Sequence, residues 1–391
     1  MNSPGGAPTL KDVARLAAVS TKTASRVLND DPKVAASTRA LVLAAMATLD
    51  YWPDSAARSL RAGTDRLVGV VVDSIGDVFL AELVATIEAV LDAAGYRALI
   101  ASSNRDSQRE RDVVQDLIQR RCAGIILTPS SRESLTGLRL RGVPVVFVDR
   151  VGDLPGAQSV VVDDFELAHL ATSHLISGGH RRIALLSDAP VVETTRLRHE
   201  GFRAAMSEAA LQVDERLVRS DCPGASQVMR VIGSLLDLDD GPTAIISTNT
   251  RLTLGIVPAL QQHGRADIAL VAYGDFAMAE SLSPAVTVID HSPAAVGAAA
   301  AQALLSQLQP GEAAVQFDPI TLVPARLIAR GSGELAPSLG PTPGPVAGTY
   351  KGGSMSVTPR GHSDLPDHSG GRALGVPRSM SSVHQDPGAE R

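Results

Sequence analysis

The chain has 391 residues, 44% hydrophobic and only 3% aromatic, enough for two to four domains with cores of Ala, Val, Leu and Ile. Two cysteines exclude a disulfide framework, no apolar run reaches the roughly 18–20 residues of a membrane helix, and the opening MNSPGGAP has neither the basic nor the apolar region of a secretory signal, so a reducing, cytoplasmic setting is expected. The net charge of −6 is uneven: residues 9–61 hold eight Lys and Arg against five Asp and Glu, which leaves −9 on the remainder, so only this head is suited to approach a polyanion.

Residues 1–8 are small and uncharged and are expected to be a flexible N-terminus. Residues 9–50 read as a three-helix unit. Thr9-Leu10-Lys11-Asp12 has the form of a capping box, and Leu10, Val13, Ala14 and Ala17 make one apolar stripe. Ala18-Val19 forms a turn, and Ser20 can cap a second helix on which Ala24, Val27 and Leu28 face inward. Thr21, Lys22, Ser25, Arg26 and Asn29 share the opposite face. It holds donors and small polar groups without a carboxylate, and so suits a major groove, where Arg binds guanine bidentately and Ser or Asn holds phosphates. A third helix, from about Ser37 to Leu49, offers Leu41, Ala44, Ala45 and Thr48 for packing. Residues 51–64 form a connector.

Residues 65–330 alternate apolar runs with amphipathic helices, the pattern of parallel sheets covered on both faces. Nine strands are expected: 67–72, 96–101, 124–127, 143–148, 160–162, 183–186, 244–247, 268–272 and 286–289. Between the first two, Leu80, Leu83, Val84, Ile87, Val90 and Leu91 recur at helical spacing and Gly95 is the stop. Nine strands exceed one comfortable open sheet, so two doubly wound lobes with a boundary near 160–165 are expected, with a ligand at the carboxyl ends of the strands and a cleft that closes by hinge motion. Residues 331–391 are a tail in which Gly, Pro and Ser supply 29 of 61 positions; a disordered extension is expected. Catalytic motifs are absent: no phosphate loop follows the first strand, there is no HExxH, the tail histidines lack metal-ligand spacing, and Cys122 and Cys222 have no CxxC partner. Neither an enzyme, a cofactor nor a metal is expected.

TLKDVARLAAVSTKTASRVLN, followed by TRALVLAAMATLDYWPDSAARSLR, resembles the amino-terminal DNA-binding segment of the lac-repressor (LacI/GalR) family of bacterial transcriptional regulators. The resemblance continues through ELVATIEAVLDAAGY, GVPVVFVDR, HLISGGHRRIALL and RLRHEGFRAAM, and covers roughly residues 9–330. It implies an α/β chain with an N-terminal helix-turn-helix domain, a hinge helix, and a two-lobed doubly wound body like a periplasmic binding protein. In that setting Thr21, Lys22 and Arg26 would read bases, while Ser20, Thr23, Ser25 and Asn29 would hold backbone phosphates. Pro53–Leu60 matches the family's hinge helix. Ala57 and Leu60 share a face there, and Leu60 would be the wedge inserted into the minor groove. In the head, Ala18 and Asp50 stand where the family usually has Gly.

The resemblance also implies an effector between the lobes, at Asp77, Phe79, Thr128, Asp149, Arg198, Asn249 and Asp275. Carboxylates, an amide, a guanidinium and an apolar face suit a sugar or sugar derivative. Thr250 and Gly274 stand where the family commonly has Asp, and with Arg251 nearby this favours an anionic effector such as a sugar phosphate. The expectation is a homodimeric repressor on a pseudo-palindromic double-stranded operator, controlled by that effector and not associated with a membrane. A solute-binding protein of a transport system shares the body but not the basic head. A nucleotide-dependent enzyme on a doubly wound fold lacks its phosphate loop.

Overall fold

The computed structural model describes residues 8–28, 31–51, 66–220, 225–308 and 318–338, with backbone alone at 225 and 226. Asn29, the expected hinge helix with Ala57 and Leu60, and everything beyond 338 lie outside these residues.

The head consists of α1 (Leu10–Leu16), α2 (Thr21–Leu28) and α3 (Ala36–Thr48). The capping box that starts α1 is formed: the Thr9 amide donates to Asp12 Oδ2 at 2.9 Å, and the Asp12 amide donates to Thr9 Oγ1 at 3.4 Å. Val13, Ala14, Ala17, Ala24, Val27, Val42 and Ala45 make the small core. The packing face expected on α3 is displaced: Val42 is buried, whereas Leu41, Ala44 and Thr48 face solvent. The third helix is apolar at every position from 40 to 47, so periodicity alone does not fix its rotation.

All nine expected strands are present, and three short ones, β7, β11 and β12, were missed. The first lobe contains β1 (Leu67–Val72), β2 (Arg97–Ser102), β3 (Gly124–Leu127), β4 (Val145–Val148), β5 (Gln158–Val161) and the late β11 (Ile320–Leu322), in the order β11-β5-β4-β3-β1-β2. The second contains β6 (Ile183–Leu186), β7 (Val218–Arg219), β8 (Ala244–Ser247), β9 (Ala269–Tyr273), β10 (Thr287–Asp290) and β12 (Arg326–Ile328), in the order β12-β10-β9-β8-β6-β7. Neighbours are parallel except β12, which runs against β10. The central strands are buried throughout and Val-, Ile- and Leu-rich, as a doubly covered parallel sheet requires.

Among the described residues, seven helices cover the sheets: α4 (Val78–Ala93), α5 (Ser107–Gln119), α6 (Asp164–Ser177), α7 (Glu193–Glu208), α8 (Ala225–Leu236), α9 (Thr250–Gln262) and α10 (Pro293–Leu308). The first passage between lobes falls between β5 and α6, near 160–165 as expected, but it is followed by others. After the second lobe is built, α10 returns to pack on α4, β3, β4 and β5 of the first lobe, β11 joins that sheet, and β12 crosses back. The chain therefore passes between lobes three times. Close helix pairs depend on small residues: a Cβ at Gly201 of α7 would lie 2.1 Å from the Phe165 carbonyl oxygen of α6, and one at Gly297 of α10 would lie 2.7 Å from that of Leu83 on α4.

The boundary expected at 330 also moves. Residues 331–338 pack on the second lobe: the Ser332 hydroxyl donates to the Leu270 carbonyl at 2.6 Å and accepts from the Thr287 amide, while Glu334 takes the Thr287 hydroxyl. Composition hid this segment, because most of its anchors are polar side chains and backbone, with Leu335 the apolar one.

Candidate functional site

Two sites emerge. On the head, Ser20 caps α2, its Oγ accepting from the Thr23 amide at 3.0 Å and lying 2.8 Å from Thr23 Oγ1. Ala24 and Val27 are buried, so the opposite face, with Thr21, Lys22 and Arg26, is exposed, and Ser25 is half-buried beside it. Asp31 lies at the edge of this face, its carboxylate 3.7 Å from Arg26 Nε. Both positions where the family's glycine is replaced have left-handed backbone, φ 53° at Ala18 and 47° at Asp50. Glycine adopts that region without strain and Asp tolerates it better than Ala.

The second site is the cleft between the lobes, about 570 Å³ of empty space with its open mouth included. Its lining is drawn from residues that directly follow strand ends: Asp73 after β1, Asp149 and Arg150 after β4, Asp188 after β6, Asn249 after β8 and His291 after β10. This is the carboxyl edge of both sheets. Three helix N-termini reach it. Asp77 caps α4, accepting from the Phe79 and Leu80 amides at 3.0 and 3.2 Å, and Asn249 caps α9, accepting from the Leu252 amide at 2.9 Å. The third, α7, follows Val192 at its N-cap without a side-chain hydrogen bond and has Thr194 and Thr195 in the cleft. Its free amides and the positive end of its dipole face the ligand space.

Arg198, one turn into α7, is buried. Its Nε donates to Asp164 Oδ1 at 2.7 Å, Nη1 donates to the Thr248 carbonyl, and the guanidinium lies 4.4 Å from the Tyr273 ring centroid. Arg150 Nη2 donates to Asp73 Oδ2 at 2.5 Å. Asp149, held at φ 70°, is left with Arg150 Nε at 3.5 Å. Burial pushes the Asp149 carboxyl up to about 6, against the pull of Arg150. Phe79 stacks on His291 with centroids 4.6 Å apart. Burial, reinforced by the Arg198 charge, drives that imidazole down to about 3, so it is a neutral ring.

Of the effector residues expected from sequence, the structure brings together Asp77, Phe79, Asp149, Arg198 and Asn249. Thr128 and Asp275 are not among the lining residues. Thr128 is fully buried and its hydroxyl finds no hydrogen-bond partner, while Asp275 is held outside by Arg330 in a bidentate pair of 2.7 and 2.6 Å. Gly274 brings no carboxylate in its place: a Cβ there would lie 2.3 Å from Thr250 Oγ1. Arg251, expected to attract an anion, is paired with Asp188. Sequence reasoning missed Asp73, Arg105, Arg150, Asp188, Thr194, Thr195 and His291. Those that directly follow strands were within reach of the carboxyl-edge rule; the threonines at an uncapped helix start left no signal.

A basic helical head presenting a donor face, in one chain with a two-lobed body enclosing a polar cleft, defines a DNA-binding regulator that carries a small-molecule site. The comparisons with known proteins agree. Residues 9–54 match the family model described as bacterial regulatory proteins, lacI family, and residues 65–316 match that of periplasmic binding proteins and the sugar binding domain of the LacI family. The HTH-type transcriptional repressor PurR of Vibrio cholerae is 31% identical over 312 residues, 78% of this chain and 92% of that protein. The lac repressor dimer bound to operator and the anti-inducer ONPF superposes with a TM-score of 0.72 at 26% identity, covering 85% of this chain and all of the other, and the lac repressor bound to ONPG gives 0.71 at 28% identity, covering 84% and all of the other. This chain belongs to the LacI family of bacterial transcriptional regulators.

Proposed function

We propose that the protein is a homodimeric repressor that grips a pseudo-palindromic double-stranded operator, in the cytoplasm, and that a small polyhydroxylated effector in the cleft sets the strength of that grip. The observation that carries this reading is the pairing, in one chain, of a donor face on α2 that has no carboxylate of its own, with Asp31 at its edge, and an interlobe cleft of donors and acceptors. On α2, Thr21, Lys22 and Arg26 read base edges, and Thr23 and Ser25 hold phosphates together with Ser20 before the helix and Asn29, which lies outside the described residues. Ala57 and Leu60 lie on the hinge segment, with Leu60 the minor-groove wedge.

In the cleft, Asp77 and Asp149 accept from effector hydroxyls, while Asn249, Arg198 and the open start of α7 donate to effector oxygens. Phe79 and His291 form the ring wall. A sugar supplies hydroxyls that both donate and accept, which this set matches better than it matches an anion, because Arg150, Arg198 and Arg251 already hold carboxylates. The relatives support repression over transport or catalysis: they are named as repressors, and a lac repressor structure contains a dimer, an operator and a small-molecule ligand. Exposed Val78, Leu99, Ile100 and Leu254, on α4, β2 and α9, supply apolar surface for a second copy.

The test is a gel-shift screen of genomic fragments with the purified protein, with and without metabolite mixtures. Selective retention of a few fragments, altered by a mixture, is expected. Equal retention of all fragments under every condition overturns the reading.

A further inference from the structure

We propose that Arg105 is a cross-lobe tether that holds the two lobes together at the outer rim of the cleft, so that an effector acts by competing for the tether's carboxylates. This rests on the ligand-controlled reading above and adds the contact through which occupancy is sensed.

Arg105 sits in the loop after β2, on the first lobe. Its Nε donates to Asp73 Oδ2 of its own lobe at 3.0 Å, and its Nη2 donates to Asp188 Oδ2 of the second lobe at 3.3 Å. Arg150 also grips Asp73, and Arg251 also grips Asp188. The result is an alternating chain, Arg150–Asp73–Arg105–Asp188–Arg251, in which the Arg105–Asp188 link alone passes from one lobe to the other. A second, longer pair crosses elsewhere, with Arg132 Nη2 at 3.5 Å from Glu193 Oε1.

Three further observations point to a tether. Asn104 and Arg105 are consecutive non-glycine residues with left-handed backbone, φ 56° and 59°. Such strain persists only where the surroundings impose it, and it concentrates at functional positions; here the Asn104 amide bonded to the Asp73 carbonyl at 2.8 Å fixes the turn that aims Arg105. Arg105 and Asp188 also line both the inner cleft and an adjoining vestibule with Ser74, Gly76, Asn104, Ala189 and Arg251, so the pair forms the partition between them. Finally, the Arg105 side chain is 45% exposed. An ion pair that wet is weak and screened; it biases lobe closure without locking it, as a contact that a small molecule must break requires.

Hydrogen–deuterium exchange of the full-length, effector-free protein tests this with Arg105→Gln and Asp188→Asn. Each variant is expected to speed exchange about five-fold or more in segments 73–80 and 188–196, which face each other across the cleft, and the double variant is expected to add nothing beyond either single one. Exchange that changes only at 103–106, or adds up in the double variant, overturns the tether. Binding to a DNA site selected with the unaltered protein separates the two claims. Altered affinity in Arg105→Gln supports both, whereas faster exchange with unchanged affinity keeps the tether and removes the ligand-controlled reading.

Discussion

Burial raises the Asp149 carboxyl to about 6 from an ordinary 3.8. A folded-state pKa above the unfolded one favours the fold fully below about pH 4, and that contribution is lost as pH rises through about 6. The ionised carboxylate is then tolerated for its use in the cleft, at a cost of about 3 kcal/mol. Asp149→Asn is accordingly expected to raise the melting temperature at pH 7.5 and much less at pH 4, and to weaken effector binding; equal shifts at both pH values would refute the burial argument. Ala18 is a second strained residue, with φ 53° in the first turn of the head. Ala18→Gly relieves about 1 kcal/mol there, measurable as slower amide exchange in α1 and α2; unchanged or faster exchange would show that the turn is not strained. Arg26 is the residue best placed to read a base. Arg26→Ala is expected to cost about 1–3 kcal/mol and to relax selectivity at one base pair. Uniform weakening over all sequences would make Arg26 a phosphate contact instead.

At the scale of elements, legibility followed burial. Val-, Ile- and Leu-rich runs such as 67–72 and 183–186 announce central parallel strands because both of their faces are covered. β7, β11 and β12 are two or three residues long, lie at or near sheet edges and are partly exposed, so no hydrophobic pattern marks them. The α2 face was legible because α2 alternates sharply between buried Ala24 and Val27 and exposed Lys22 and Arg26. Within the cleft, Arg198 and Asn249 were found through resemblance, whereas Asp275 was misplaced because its partner, Arg330, lies 55 residues away in sequence. On composition alone the segment after 330 reads as tail. Its hydrogen bonds lead to a direct comparison: a chain ending at residue 330 should melt several degrees below one ending at residue 338, because Thr287 and the Leu270 carbonyl lose the Ser332 and Glu334 partners that satisfy them. Identical melting curves would mean that these contacts contribute nothing to the second lobe.

For the whole molecule, the proposed homodimer makes the decisive quantity the coupling between two small heads and two large acidic bodies. A head of seven- to thirteen-residue helices offers only a small face to a duplex, and a body bearing the excess negative charge would be repelled by the same duplex. One head alone therefore binds weakly. In a dimer the second head binds at the effective concentration set by the first, which multiplies affinity by about 10²–10⁴ without any new contact, and only if both half-sites are presented together. Half-sites read by two-fold related heads lie about one helical turn apart, roughly 10–10.5 base pairs. Inserting five base pairs at the operator centre turns one half-site to the opposite face of the duplex. Affinity measured by fluorescence anisotropy should then drop toward that of a single half-site, and a ten-base-pair insertion should recover part of it by restoring the phase. A protein indifferent to the five-base-pair insertion would be binding through one head, and lobe motion would then have no second head to bring into or out of register.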